Sequence, residues 1–308
     1  ALDLGVTTVV NITGGPTAVV LSRAIEEGLV DRCARQVVAG VVDCTGGHVR
    51  GVVADGPWAV RGGVREVCAA GGDLIKTASS GGFAGENEEA WWRDYTLEEL
   101  EVLVDEAHSK GKPVAVHAQS QPGISNGAKA GCDMIHHGSL MDDQGLEDIV
   151  SRGLYFVPTL WSTSKIRAEQ CAGTEFEDAP WALQRMDAAY ETHREGVRKG
   201  YEMGIKLAVG TDGRPGDAMY EMLEMVWCGL SPMEAIIAGT RNTAEAIGKL
   251  DELGTLETGK KADVIIVEGN PLNDIEIMTK QENILLVMKD GKVEATDEAY
   301  RMHLHPRG

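Results

Sequence analysis

Seven short apolar runs alternate with helical stretches through the first 250 residues of this 308-residue chain. Beyond them, turn-punctuated strands follow one another without helices. Together these observations predict an α/β fold: a TIM-like (β/α)8 barrel lacking its first strand in this chain, with a small C-terminal β appendage. Composition agrees. The 38 glycines against 10 prolines suit many short strand–helix connections, and 43% hydrophobic residues can fill a large core. The expected division is a barrel over 1–250 and, over 251–308, a β-sheet appendage that forms part of a composite β domain, followed by a tail.

The elements follow in order. GVTTVVNI (5–12) is β-branched and apolar, a strand, and helical periodicity over 17–28 stops at Gly28. QVVAGVVD (36–43) is the second strand, and a glycine-rich loop carrying His48 follows it. Pro57 opens a helix reaching residue 70, and the third strand, 73–78, runs into the polar loop SSGGFAGENEE. Thr96 and Glu99 fit a capping box for a helix stopped by Gly111. Strands at 113–117 and 132–137 flank a helix over 122–131. A helix over 142–152 stops at Gly153 before strand six, 154–159. A long loop and helix, 160–204, lead to strand seven, 206–211, and then to helices over 217–229 and 232–248. GTLETGKKADVIIVEGNPL (254–272) and NILLVMKDGKVEA (283–295) supply two or three appendage strands, too few to stand alone.

An open seven-stranded barrel leaves two raw edges. The missing unit is expected before residue 1, in keeping with a chain that opens Ala1-Leu2-Asp3-Leu4 without methionine. A doubly wound open sheet is the alternative, but GGPTA (14–18) lacks its glycine fingerprint.

The charge balance narrows the partners. With 48 acidic against 29 basic residues, the net charge of −19 repels phosphate backbones and anionic lipid, so neither nucleic acid nor membrane is expected. No stretch approaches about 18 uninterrupted apolar residues. The six cysteines, at 33, 44, 68, 132, 171 and 228, form no CxxC pair and read as reduced core residues of a cytoplasmic protein.

Four chemistry-bearing residues sit at or just past the ends of apolar runs: Lys76 in DLIK, His117 in VAVH, His137 in DMIHH and Asp212 in KLAVGTD. In a parallel barrel the C-terminal strand ends converge on one mouth, so these side chains would assemble a metal site there. Each has a plainer reading. His117 could be a satisfied core histidine, Asp212 a helix N-cap, and Lys76 a salt-bridged strand end. His136 competes with His137, because neighbours on a strand face opposite ways and only one can look inward. An ammonium cannot ligate a metal. A buried lysine near cations loses its proton, and the neutral amine can take up carbon dioxide as a bidentate carbamate.

Lys76, His117, His137-Gly138 and Thr211-Asp212, together with GVTTV (5–9), TGGH (45–48), DLIKTASSGG (73–82), DEAHSKGKPVAVHA (105–118), VPTL (157–160) and the 254–272 segment, resemble the amidohydrolase superfamily. The similarity is to its imidazolonepropionase-related branch, which includes Xaa-Pro dipeptidases and carboxypeptidases. It implies two zinc-like ions, bridged by carboxylated Lys76. His117 and His137 would hold the second ion. Asp212 would bind the first and act as general acid and base. It also selects His137 over His136, since the ligand of that branch directly precedes the glycine. The His-x-His pair expected on the first strand is missing; the chain's only such pair is His303 and His305, in the C-terminal tail.

The resemblance also implies a substrate-carboxylate contact for His48, whose plainer reading is a loop histidine fixed by its glycines; Tyr95, Arg93 and Gln119 are further rim candidates. Trp91 and Trp92 would line a pocket or cover the barrel. The function expected is hydrolysis of an amide bond in a dipeptide or N-acyl amino acid through a metal-bridging hydroxide, by a homo-oligomer. The alternatives are a cyclic-amide hydrolase or deaminase on the same scaffold, or an inactive fragment or binding protein. The loops over 79–95 and 160–180 are expected to set substrate preference.

Overall fold

The computed structural model describes residues 1–164 and 179–296. His303, His305 and most of the 160–180 loop therefore lie outside the described residues. The first half of the chain runs β1 (Thr8–Asn11), α1 (Gly15–Glu26), β2 (Arg35–Asp43), β3 (Val52–Val53), α2 (Pro57–Ala70), β4 (Leu74–Ala78), α3 (Leu97–His108), β5 (Val114–Ala118) and α4 (Gly123–Ala130). It continues with β6 (Met134–His137), α5 (Asp143–Arg152), β7 (Tyr155–Val157), α6 (Leu160–Thr163), α7 (Pro180–Glu202), β8 (Lys206–Leu207), α8 (Ala218–Trp227), α9 (Pro232–Ile237) and α10 (Thr243–Ala246). The C-terminal strands are β9 (Val264–Val267), β10 (Ile284–Lys289) and β11 (Lys292–Thr296).

The main sheet is parallel, in the order β1-β2-β4-β5-β6-β7-β8, with β3 added beside the end of β2. It curls with helices on its outer face into a seven-stranded half-barrel whose edges are β1 and β8. Local signals account for the register. Pro57 opens α2; the Thr96–Glu99 capping box starts α3; the Asp142 side chain caps α5 through the Gly145 amide. Gly71, Gly131 and Gly153 terminate α2, α4 and α5 in the left-handed conformation.

Two elements differ from expectation. The strand read over 206–211 pairs with β7 only as far as Ala208, whose amide donates to the Phe156 carbonyl at 2.9 Å, and helical side chains bond the backbone on its other edge. Asn242 Nδ2 donates to the Leu207 carbonyl at 2.9 Å, and the Val209 amide donates to Thr243 Oγ1 at 3.1 Å. The helix read over 232–248 is interrupted by a π turn at Ala238–Asn242, which brings those two residues to the strand.

The C-terminal strands form an antiparallel sheet in the order β11-β10-β9. Its inner face, Ile284 and Val287, packs on Leu2 and Ala34. Arg35, at the start of β2, ties this sheet to the half-barrel. Its guanidinium donates to Asp263 at 2.8 Å, to Asp290 at 2.7 Å and to Thr8 Oγ1 at 2.7 Å. No helix among the described residues is long and apolar enough to cross a membrane.

Removing one partner from a buried ion pair strands the other charge. Arg35→Met is therefore expected to cost about 3 kcal/mol in urea unfolding. It should also expose the C-terminal sheet to limited proteolysis before the half-barrel is cut.

Candidate active site

The inward face of the sheet is visible in its packing. Val37, Ala39, Leu74, Ala115, Met134, Tyr155, Val157 and Ala208 form one buried cluster. On each strand this row continues by steps of two toward the C-terminal end, reaching Asp43 on β2, Lys76 on β4, His117 on β5 and His136 on β6. Alternation thus turns His136, not His137, inward. Yet the His137 ring lies 4.5 Å from that of His117, centroid to centroid.

The backbone explains this. His137 has φ of +74° and Gly138 has +61°, so the chain swings out of pleated geometry at the very end of β6. The expectation that only one of the two histidines can look inward fails for this reason. Both do, by different means. A side chain at Gly138 would run into Met141 and Phe156, so the turn admits no larger residue. A left-handed L-residue costs roughly 1–2 kcal/mol, which the surrounding contacts must offset.

Lys76 is only 2% exposed, and its Nζ lies 3.1 Å from His136 Nδ1. His117 donates from Nε2 to the Gly81 carbonyl at 3.1 Å. His137 Nδ1 meets Thr159 Oγ1 at 2.8 Å. His48, from the loop after β2, stacks on His117 with centroids 3.9 Å apart, and its Nδ1 meets Glu88 Oε1 at 2.7 Å. Its backbone amide is held by Asp94 at 3.0 Å.

Burial dominates the electrostatics. It pulls His117, His136 and His137 well below the usual imidazole range, and their mutual repulsion and that of Lys76 add to the effect. All three are neutral near pH 7. Burial also lowers Lys76 to about 8, against the opposing pull of the Asp212 and Asp43 carboxylates. Asp43 is raised to about 7, by burial first and by Asp94 second, while the Val49 and Cys44 amides resist.

Asp212 sits on the rim, exposed, with φ of +49°. Its carboxylate favours the charged form of Lys76. Gln119 is buried between the ends of β5 and β6, where its Oε1 accepts from the Ser139 amide at 3.3 Å. Tyr95 is not at the rim. It is fully buried in the core, and its hydroxyl donates to the Ala54 carbonyl at 2.7 Å. Arg93, Trp91 and Trp92 are exposed.

Three residues escaped the sequence reading. Asp43 carried a usable signal, since it ends an apolar run just as Lys76 and His117 do. Glu88 and His193 carried none, being a loop carboxylate among several and a histidine inside a helix. Among the described residues, no group of three or more His, Cys, Asp or Glu side chains stands preassembled around a metal position. The donors nevertheless fit a divalent cation in kind: two neutral imidazoles, each with one nitrogen outside its hydrogen bond, an amine whose pKa burial lowers to about 8, and a carboxylate.

The model of the amidohydrolase family matches residues 2–293. The chain belongs to the amidohydrolase family. Ochratoxinase from Aspergillus niger is 32% identical to this amidohydrolase over 244 residues, which cover 78% of this chain and 50% of that protein. The imidazolonepropionase of Syntrophobacter fumaroxidans is 41% identical over 79 residues, 24% of this chain and 19% of that protein. The crystal structure of a Xaa-Pro dipeptidase with methionine bound in its active site superposes with a TM-score of 0.86 at 32% identity. That match covers 96% of this chain and 76% of the other. This amidohydrolase spans about half the length of the first curated relatives it matches.

The Lys76 shift fixes a pH dependence. Between the folded value near 8 and the ordinary value of 10.5, the unfolded chain binds more protons than the folded one. Stability should therefore rise with pH across that window, by up to about 1.4 kcal/mol per pH unit. Lys76→Met should remove the rise. Urea unfolding of both proteins from pH 7.5 to 10 measures the difference, which cancels titrations the two share.

Proposed function

We propose that this chain forms the catalytic body of a metal-dependent hydrolase that cleaves an amide bond in a dipeptide or N-acyl amino acid. The observation that carries the reading is the convergence of the Lys76 amine with the His117 and His137 rings at the C-terminal strand ends. The likeness to a Xaa-Pro dipeptidase over almost the whole chain supports the choice of bond.

His117 and His137 would hold one divalent ion, Asp212 the other, and Lys76 would bridge them as its carbamate. A low pKa favours that carbamate, because only the neutral amine attacks carbon dioxide. Bound ions of this kind supply Lewis acidity for the amide carbonyl and a lowered pKa for water. The protein's own residues do the rest. Asp212, exposed on the rim, can take a proton from the attacking water and hand it to the leaving nitrogen. His48, braced by Glu88 and stacked on His117, would meet the substrate's carboxylate. Neutral His136 sits against Lys76 and carries no charge that could offset an anionic carbamate, so its contribution would be to orient the side chain rather than to neutralise it.

In the full-length protein loaded with zinc, Asp212→Asn is expected to lower kcat by about 10²–10⁴-fold on a panel of dipeptides and N-acyl amino acids. The circular dichroism spectrum should stay close to wild type, while zinc content falls below the wild-type value because a ligand to one ion is lost. Undiminished turnover would remove Asp212 from the proton pathway.

A further inference from the structure

We propose that His193 is a positioning residue, whose hydrogen bond to the His137 carbonyl holds His137 in the left-handed backbone conformation that sets its ring beside His117. His193 belongs to α7, far along the chain from β6, and is completely buried. Its Nε2 lies 3.0 Å from the His137 carbonyl oxygen. A carbonyl only accepts, so Nε2 carries the proton. Nδ1 lies 3.0 Å from the Thr163 hydroxyl oxygen, whose single hydrogen has His193 Nδ1 and, at 3.1 Å, the Leu160 carbonyl as its two acceptors. The ring is thus fixed at both nitrogens, by α6 on one side and by the end of β6 on the other.

The bond matters because of where it lands. At the end of β6 two successive residues, His137 and Gly138, have positive φ, while the Gly138 amide keeps its bond to the Ala118 carbonyl of β5 at 2.9 Å. The carbonyl between them has turned away from strand pairing and into a buried space. An unsatisfied buried carbonyl is costly, so its donor decides whether the turn holds. Without that donor, His137 is free to return to extended geometry, which would carry its ring away from His117 by the ordinary alternation of a strand. His193 would so govern the site without touching either substrate or reacting atoms.

The inference concerns the backbone of His137; its consequence for a bound cation rests on the metal-site reading proposed above. The two are separated by reading the backbone first. Crystal structures of metal-free wild type, His193→Leu and His193→Gln supply this. Glutamine can place its amide near the position of Nε2. Positive φ at His137 and the close approach to His117 are expected in wild type and His193→Gln, and both should be lost in His193→Leu. A folded His193→Leu chain that keeps both overturns the inference. Should His193→Leu fail to fold, Thr163→Val takes its place: it frees Nδ1 while leaving the donor present, and a displaced His193 ring with a weakened bond to His137 is expected. An unmoved ring and an unchanged His137 would overturn the inference there too.

Zinc titration by calorimetry then reads the consequence. Loss of a hydrogen bond behind a ligand typically costs 10–100-fold in affinity. His193→Leu should weaken zinc binding by about tenfold or more, and His193→Gln should recover most of it. Equal affinity in all three proteins counts against the inference. Absence of zinc binding in wild type counts against the metal-site reading alone, and the crystallographic comparison still decides the role of His193.

Discussion

An amine with 2% of its surface exposed cannot hold a full charge without compensation, and the mouth of this half-barrel is arranged around that constraint. Lys76 has no ion-pair partner within bonding distance among the described residues; its near neighbour is a neutral histidine at 3.1 Å. The carboxylates that favour its charge, Asp212 and Asp43, act from a distance and only moderate the effect of burial. Asp43 is itself raised to about 7, so it is partly neutral at the pH where its help would count. Two groups of opposite type are each pushed toward neutrality by the same buried environment. That is the electrostatic pattern of a site kept ready for a reaction partner rather than of a satisfied structural ion pair.

The contrast with Arg35 makes the point within one molecule. Arg35 is also buried, but two carboxylates and a hydroxyl meet its guanidinium at 2.7–2.8 Å, and its charge is reinforced. It behaves as a fastener between the half-barrel and the C-terminal sheet. A buried cation with its partners in place holds elements together; a buried amine without them is chemically available.

Much of this was legible in the sequence, because the signals were local. Period-two apolar runs, capping pairs and terminal glycines are all properties of a few adjacent residues, and they marked out the strands and most of the helices. One rule, that a polar residue ending a buried parallel strand faces the mouth, drew attention to Lys76, His117, Asp212 and the His136–His137 pair, and the family resemblance chose His137 from that pair. The failures have equally definite causes. Strand seven was overread: its pairing with β7 ends at Ala208, and Asn242 and Thr243, distant in sequence, bond the backbone on its other edge. Tyr95 was placed at the rim on proximity to a loop, whereas its ring fills the core and its hydroxyl finds the Ala54 carbonyl. The rule that only one of His136 and His137 can look inward holds only while the backbone stays pleated.

That last failure leads to the feature no periodicity could reveal. Among the described residues, five that are not glycine have positive φ: Arg32, His137, Thr159, Asp212 and Asp290. Three of them stand just at or beyond the C-terminal ends of the consecutive strands β6, β7 and β8. Two of these three are bonded to each other, since Thr159 Oγ1 meets His137 Nδ1 at 2.8 Å. Strain of this kind persists only where neighbours over-determine it. Here the neighbours are the Thr159 hydroxyl on the His137 ring and the His193 ring on the His137 carbonyl, one from each side of the residue. A regular strand end would have presented one inward side chain per strand and left the His137 ring on the helical side of the sheet. Bending the backbone at this place brings a second imidazole from β6 into the mouth, and so the unfavourable φ values gather where side chains must converge.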